Sequence, residues 1–315
     1  MSFFSDVERE IVVTDRTLVA DRIVSIGLAA ANGRPLPAWD PGAHIDLMPT
    51  ADLERQYSLC GDPDDRGRWQ IAVLRDDSGR GGSVAAHALR PGAIVRARGP
   101  RTNFAFADPA AGETVVFVAG GIGITPILPM ARRARDLGAD WTMHVCVRSR
   151  EALPFADELA TLGNRVHLHV SDEGSRADLA RIAHEAGSAP IWACGPEAML
   201  DALHAAGPPA LHVEPFSTPE PEKAKPATPF EVETLSTGEV FEIPAHRSVL
   251  EVLEDNGHFT VSSCREGTCG TCETVVVDGE VEHRDRVLSE AERRSSPVMM
   301  ICVSRAACPR LVLDV

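Results

Sequence analysis

Four cysteines near the carboxyl end, Cys264, Cys269, Cys272 and Cys302, have the types and spacing to do chemistry. The first three follow C-x4-C-x2-C, and the fourth stands 30 residues beyond the third. That is the ligand spacing of a two-iron, two-sulfide cluster, in which four thiolates hold both irons. Such a centre carries one electron at a time and makes no bond to a substrate. Gly267 and Gly270 lie inside the loop, where glycine follows the tight positive-φ paths needed to wrap backbone close to inorganic sulfide. Four thiolates also suit zinc, but structural zinc sites usually show two C-x2-C pairs and this stretch has one. Cys308 is the rival to Cys302 and reads as a spare buried thiol. A disulfide framework is not expected, because residues 1–10 have neither the basic nor the apolar segment of a secretory signal. A reducing, cytoplasmic setting is the expectation, and no apolar run approaches the ~18 residues of a membrane span.

The elements that must position these thiolates are legible around them. Phe230–Leu235 and Glu239–Ile243 alternate apolar and polar residues about Thr237-Gly238, which predicts a hairpin. Ser248 to Gly257 predicts a short helix, with Ser248 as its N-cap and Gly257 at its stop. Glu273–Val277 and Val281 flank Asp278-Gly279, a second hairpin signal. Ser289 to Glu292 spells a capping box opening another helix. Val298–Val303 predicts a strand carrying Cys302, and Leu311–Val315 a closing strand. This pattern resembles the plant-type ferredoxins.

The chain has 315 residues, 44% of them hydrophobic, and a formal net charge of −15. The length predicts two or three domains. The acidity argues against a nucleic-acid role, which asks for a basic face. Residues 228–315 carry 16 Asp/Glu against 8 Arg and no Lys, so the cysteine-bearing end is an acidic end suited to docking on a basic partner surface. Residues 217–229 hold four prolines and both lysines of the chain, Lys223 and Lys225. They predict a semi-extended linker.

Upstream of that linker, Val115–Ala119 is an apolar run followed by Gly120, Gly121 and Gly123 and then by a helical stretch to Gly138, with Pro126 in its first turn. Strand, glycine turn and helix start can cradle a nucleotide pyrophosphate. The third glycine of the usual G-x-G-x-x-G is replaced by Pro126, and an ordinary strand–helix connection stays open on this segment alone. Three more predicted strands end in residues fit for a nucleotide: Met143–Val147 before Arg148-Ser149-Arg150, Val166–Val170 before Ser171-Asp172, and Pro190–Ala193 before Cys194-Gly195-Pro196. Strands alternating with helices predict a parallel, doubly wound sheet, whose ligands sit at the carboxyl ends of the strands. Residues 10–105 carry short β-type runs between Gly and Pro turns, which predicts a small antiparallel barrel. Within it stand Arg55-Gln-Tyr-Ser-Leu59, with the one Tyr of the chain, and Gly81-Gly82-Ser83 opening a helical stretch.

The R-x-Y-S segment before G-G-S, the G-G-I-G-I-T-P segment, the C-G-P segment and the C-terminal cysteine pattern together resemble the phthalate dioxygenase reductase family, over nearly the whole chain and in the same order. The resemblance implies three domains. They are an antiparallel flavin barrel at 1–107, an α/β parallel-sheet NAD domain at 108–216, and, after the 217–229 linker, an α+β plant-type ferredoxin domain at 230–315. It implies FMN held by Arg55, Tyr57, Ser58, Leu59, Val73, Gly81, Gly82 and Ser83, with Phe216 near the flavin. It implies NADH held by Gly121, Gly123, Thr125, Pro126, Arg148, Ser149, Asp172, Cys194, Gly195 and Pro196; Arg148, Ser149 and Arg150, after the second strand, keep NADPH open. The cluster ligands are Cys264, Cys269, Cys272 and Cys302. The expected function is a cytoplasmic, monomeric reductase that passes electrons from NADH to a separate, Rieske-type oxygenase acting on an aromatic substrate. A haem-thiolate monooxygenase or small acceptors are the alternative recipients.

Overall fold

The computed structural model describes residues 7–50, 53–79, 81–215, 227–262, 265, 267, 270–285, 287–288 and 290–315. The chain divides into two compact units, 1–217 and 218–315.

The first unit opens with β1 (Arg9–Ala20), β2 (Ile23–Ala30), β3 (Ala43–Thr50), β4 (Leu53–Ser58), β5 (Trp69–Leu74), α1 (Gly82–Ala88) and β6 (Ile94–Thr102). The six strands form one antiparallel sheet in the order β4-β3-β6-β1-β2-β5. A bridge between Leu59 and Ile71 joins the two ends, so the sheet curls into a barrel. Its inward residues, among them Ile11, Val13, Ile26, Leu28, Ile45, Leu47 and Trp69, fill one core. The sequence shows β4 as a motif and not as a strand, because Arg55, Gln56 and Tyr57 in succession break the alternation of apolar and polar positions.

The rest of the unit alternates strands and helices: β7 (Thr114–Gly120), α2 (Ile124–Asp136), β8 (Asp140–Val147), α3 (Ala156–Thr161), β9 (Val166–Val170), α4 (Leu179–Ala186), β10 (Ile191–Gly195), α5 (Glu197–Ala206) and β11 (Leu211–Pro215). The five strands are parallel, in the order β11-β10-β7-β8-β9. Successive residues of β7 point to opposite faces. Val115, Phe117 and Ala119 enter the core under α2, while Val116 and Val118 enter the core under α4 and α5. That two-sided burial is why β7 reads as a continuous apolar run.

The second unit contains β12 (Phe230–Thr234), β13 (Val240–Ile243), α6 (Val249–Asp255), β14 (Glu273–Asp278), β15 (Val281–Glu282), α7 (Glu290–Ser295), β16 (Val298–Met300), β17 (Arg305–Ala306) and β18 (Arg310–Leu313). A mixed sheet runs β13-β12-β18-β14-β16, with β12 and β18 parallel. The first hairpin and the α6 helix form as the sequence predicts; Ser248 and Glu251 complete a reciprocal capping box. The second hairpin does not form. Gly279, at φ 106°, turns the chain away, β14 pairs with β16 and β18, and β15 pairs with β17 in a separate ribbon. The strand expected over Val298–Val303 stops at Met300, and Cys302 sits in the turn beyond it. Cys308 is half-buried where full burial was expected; its sulfur accepts the Glu280 N–H at 3.1 Å and donates to the Arg310 carbonyl at 3.0 Å. α7 is present, while Ser289, the expected cap, lies outside the described residues. Among the described residues no helix is long and apolar enough to cross a membrane.

Candidate redox-cofactor sites

Strand β4 presents Arg55, Tyr57 and Ser58, whose register partners on β3 are Leu47, Ile45 and His44. The turn before α1 meets this strand. Gly81 takes φ 81°, and a Cβ built on Gly82 would fall 2.4 Å from Arg55 Cγ and 2.7 Å from Nε. The Arg55 side chain therefore runs across Gly82, and Arg55 also donates to the Glu54 carbonyl at 2.7 Å. Tyr57 packs on the barrel core, where burial pushes its phenol up to about 12 against the opposing pull of Arg55. The Ser83 hydroxyl accepts the Asp76 N–H at 3.0 Å and donates to the Asp76 carbonyl at 3.1 Å, which ties the loop after β5 to α1. Leu59 and Val73 are buried in the core, and the Val73 carbonyl meets His87 Nε2 at 2.8 Å. Leu59 and Val73 thus face a cofactor through backbone at most. The cradle fits a flavin phosphate: glycine where a side chain would fill the space, with a permanent cation across it.

At the carboxyl edge of the parallel sheet the glycine turn and the Cys194-Gly195-Pro196 segment interlock. A Cβ on Gly123 would sit 2.3 Å from the Cys194 carbonyl oxygen; one on Gly120 would sit 2.5 Å from Pro196 Cδ and 3.2 Å from Gly195 Cα. Gly121 is different: it holds φ 53° and a Cβ there would meet nothing within 4 Å, so it faces open space. Two features invisible in the sequence position this turn. Ile122, between the glycines, packs on Ile23, Cys60 and Ala72 of the barrel. Arg132 of α2 reaches the Cys60 and Gly61 carbonyls at 2.9 and 2.7 Å and pairs with Glu158. An isoleucine inside a glycine turn, and the arginine that directly follows the buried run 124–131, are the signals that point to them. Thr125 is buried and donates to the Ile122 carbonyl at 3.0 Å, and Pro126 beside it is buried in α2.

Cys194 is wholly buried and its thiol is held well above the usual range by burial, so it supplies shape and no thiolate. Its register partner on β11 is Glu214, whose carboxyl burial raises to about 8. Beyond β8 and β9, Arg148 is 86% exposed and lies 3.5 Å from Asp172, with Ser149 beside it and Arg150 pairing with Glu173. Phe216 lies outside the described residues.

In the second unit Cys272 and Cys302 are buried in the same core, and the Ile301 N–H donates to the Cys272 carbonyl at 3.3 Å, which sets the two cysteines side by side. Gly267 and Gly270 take φ 71° and 76°. A Cβ on Gly267 would fall 2.5 Å from Val303 Cγ2. The cysteine loop therefore presses on the Cys302 turn, as a shared four-thiolate centre requires. Cys264 and Cys269 lie outside the described residues.

Residues 232–307 match the family described as the 2Fe-2S iron-sulfur cluster binding domain. The phenoxybenzoate dioxygenase subunit beta of Ectopseudomonas oleovorans is 42% identical over 304 residues, covering 94% of this chain and 93% of its own. A solved phthalate dioxygenase reductase, whose structure is described as modular for electron transfer from pyridine nucleotides to [2Fe-2S], superposes with a TM-score of 0.77 at 35% identity and covers 98% of each chain. The chain belongs to the phthalate dioxygenase reductase family. Its barrel, parallel sheet and C-terminal cluster-binding fold are those of that family. An intact self-sufficient cytochrome P450 monooxygenase also superposes, with a TM-score of 0.82 and 42% identity over 98% of this chain; the chain spans 41% of that protein.

Proposed function

We propose that this protein is the reductase component of a multi-component oxygenase system, an oxidoreductase that takes electrons from NADH, by way of FMN and a 2Fe–2S cluster, to a separate terminal oxygenase acting on an aromatic substrate. The observation that carries the reading is the seating of the Gly120–Gly123 turn on the barrel through Ile122, which puts a nucleotide turn and the Arg55–Gly82 cradle in one compact unit. When bound, the flavin converts a two-electron hydride into single electrons and the cluster carries them one at a time.

The chain's own residues bind and orient. Within the barrel domain, 1–107, Gly81, Gly82 and Ser83 hold the FMN phosphate. Arg55, whose side chain crosses Gly82, would place a fixed positive charge at that phosphate, Tyr57 and Ser58 would line the ring system, and Leu59 and Val73 would contribute backbone. Within 108–216, Gly121, Gly123, Thr125 and Pro126 receive the nucleotide pyrophosphate. Cys194, Gly195 and Pro196 shape the nicotinamide pocket, and Arg148, Ser149 and Asp172 take the adenosine end. After the linker at 217–229, the unit at 230–315 holds the cluster on Cys264, Cys269, Cys272 and Cys302. Phe216 is assigned to the flavin's nicotinamide side. No general base, nucleophile or oxyanion donor is required. The acidic last unit is the docking face for the oxygenase, and the protein works as a monomer in the cytoplasm.

Cys272→Ser tests the division of labour. It should abolish reduction of the oxygenase while NADH-driven reduction of a dye persists; loss of both activities, or retention of both, overturns the reading. The likeness to the self-sufficient cytochrome P450 monooxygenase favours a second recipient, a separate haem-thiolate monooxygenase. Reconstitution with a Rieske oxygenase and with a P450 side by side separates the two.

A further inference from the structure

We propose that His144 and His169, with His167 and Cys146 beside them, form a site for a borderline divalent transition-metal ion such as Zn2+, Ni2+ or Cu2+ on the face of the parallel sheet away from α2. The sequence places two i, i+2 pairs of ligating residues on adjacent strands: His144 and Cys146 on β8, His167 and His169 on β9. The register aligns them, with His144 opposite His167 and Cys146 opposite His169. Strand alternation then turns all four to one face. Their neighbours Met143, Val145, Val147, Val166, Leu168 and Val170 fill the core on the other side.

The face that carries the four is not sealed by the core under α4 and α5, which draws its strand residues from β7, β10 and β11. β9 is moreover the edge strand. His144 Nδ1 stands 3.1 Å from His169 Nε2, and the His144 ring stacks on His167 and His169 with centroids 5.0 and 5.4 Å away. Two imidazole nitrogens bound to one tetrahedral zinc at about 2.0–2.1 Å lie roughly 3.3 Å apart, so the pair already has the bite of a metal-binding jaw. Among the described residues no three ligating side chains converge on one point. Water, or His167 or Cys146 after a change of rotamer, would complete the set. The neighbouring cation, Arg181 of α4, is paired with Glu185 at 3.1 Å.

Burial, and after it repulsion by neighbouring cationic groups, keeps His144 and His169 neutral, the form that ligates. In the metal-free pair one of the two facing nitrogens carries the proton of their hydrogen bond; ligation moves that proton to the far nitrogen of the same ring, so binding to the histidine pair releases no net proton. Recruitment of the Cys146 thiol would release one. Imidazole with thiolate or water selects zinc, nickel or copper over calcium or magnesium.

Calorimetric titration of the holoprotein with zinc chloride, with cluster absorbance followed in parallel, tests the site. One saturable ion per chain is expected. His144→Asn and His169→Asn should each weaken binding by at least about tenfold, while His246→Asn, an exposed histidine of the second unit, should bind as the parent does. If His144→Asn fails to fold, His169→Asn decides alone. Absence of saturable binding, or His169→Asn binding as tightly as the parent, overturns the proposal.

Discussion

The two glycine turns of the first unit are built on opposite principles. At Gly120–Gly123 glycine is required because main chain meets main chain: the Gly123 position faces a carbonyl oxygen of β10 at 2.3 Å and the Gly120 position faces Gly195 and Pro196. At Gly81–Gly82 the close neighbour is the flexible side chain of Arg55, and around Gly81 there is open space. The first turn is thus part of the fold, whereas the second is a cradle that can change without unmaking the barrel. A glycine pair in a sequence does not say which kind it is; the identity of the nearest atom does.

The largest expected effect comes from Gly123→Ala. Its new methyl has nowhere to go without separating β7 from β10, so a loss of about 3 kcal/mol is expected, with NADH oxidation falling with it. A thermal melt that leaves the midpoint unchanged would erase the distinction between the turns. Gly82→Ala should displace Arg55 and weaken FMN retention by about tenfold, about 1.4 kcal/mol, with the melt of the flavin-free protein nearly unmoved; fluorescence titration with FMN reads it. Gly121→Ala is intermediate in kind. Nothing crowds the added carbon, but φ 53° costs an L-residue about 1 kcal/mol, and the KM for NADH should rise with kcat little changed.

The smallest effect concerns the dryness of the packed turn. Glu214 titrates near 8 when folded and near its ordinary 4.5 when unfolded. Its folded pKa is the higher, so its contribution to stability is present below about 4.5 and is lost as pH rises through about 8. Glu214→Gln, which imitates the protonated form, should match the parent at pH 5 and exceed it by about 1 kcal/mol at pH 9, counting screening by water at its exposed edge. Equal melting curves at both pH values would mean that water reaches this carboxyl freely.

What was legible in the sequence was local. The apolar run of β7, the glycines after it and the Ser248 N-cap each act within a few residues, and the structure shows the strand, the turn and the cap there. What was not legible depended on distant chain. Asp278-Gly279 carries a hairpin signal, yet β14 is claimed by β16 and β18 and β15 by β17. The role of Ile122 exists only because Cys60 and Ala72 arrive from the barrel. Arg55, Tyr57 and Ser58 could be singled out as residue types, but the contact of Arg55 with Gly82 needs the 23 residues between Ser58 and Gly82 to return α1 to β4.

Strand β18, which follows every other strand of its sheet in the sequence, lies in the middle of that sheet, with β12 on one side and β14 on the other. On the ribosome the β12–β13 hairpin can form early, but its inner flank stays open until β18 emerges. Until then neither the Cys272 strand nor the Cys302 turn has a completed sheet to rest on. The cluster-binding fold is therefore closed only once β18 has emerged, and until then the nascent chain exposes a bare strand edge prone to stray pairing.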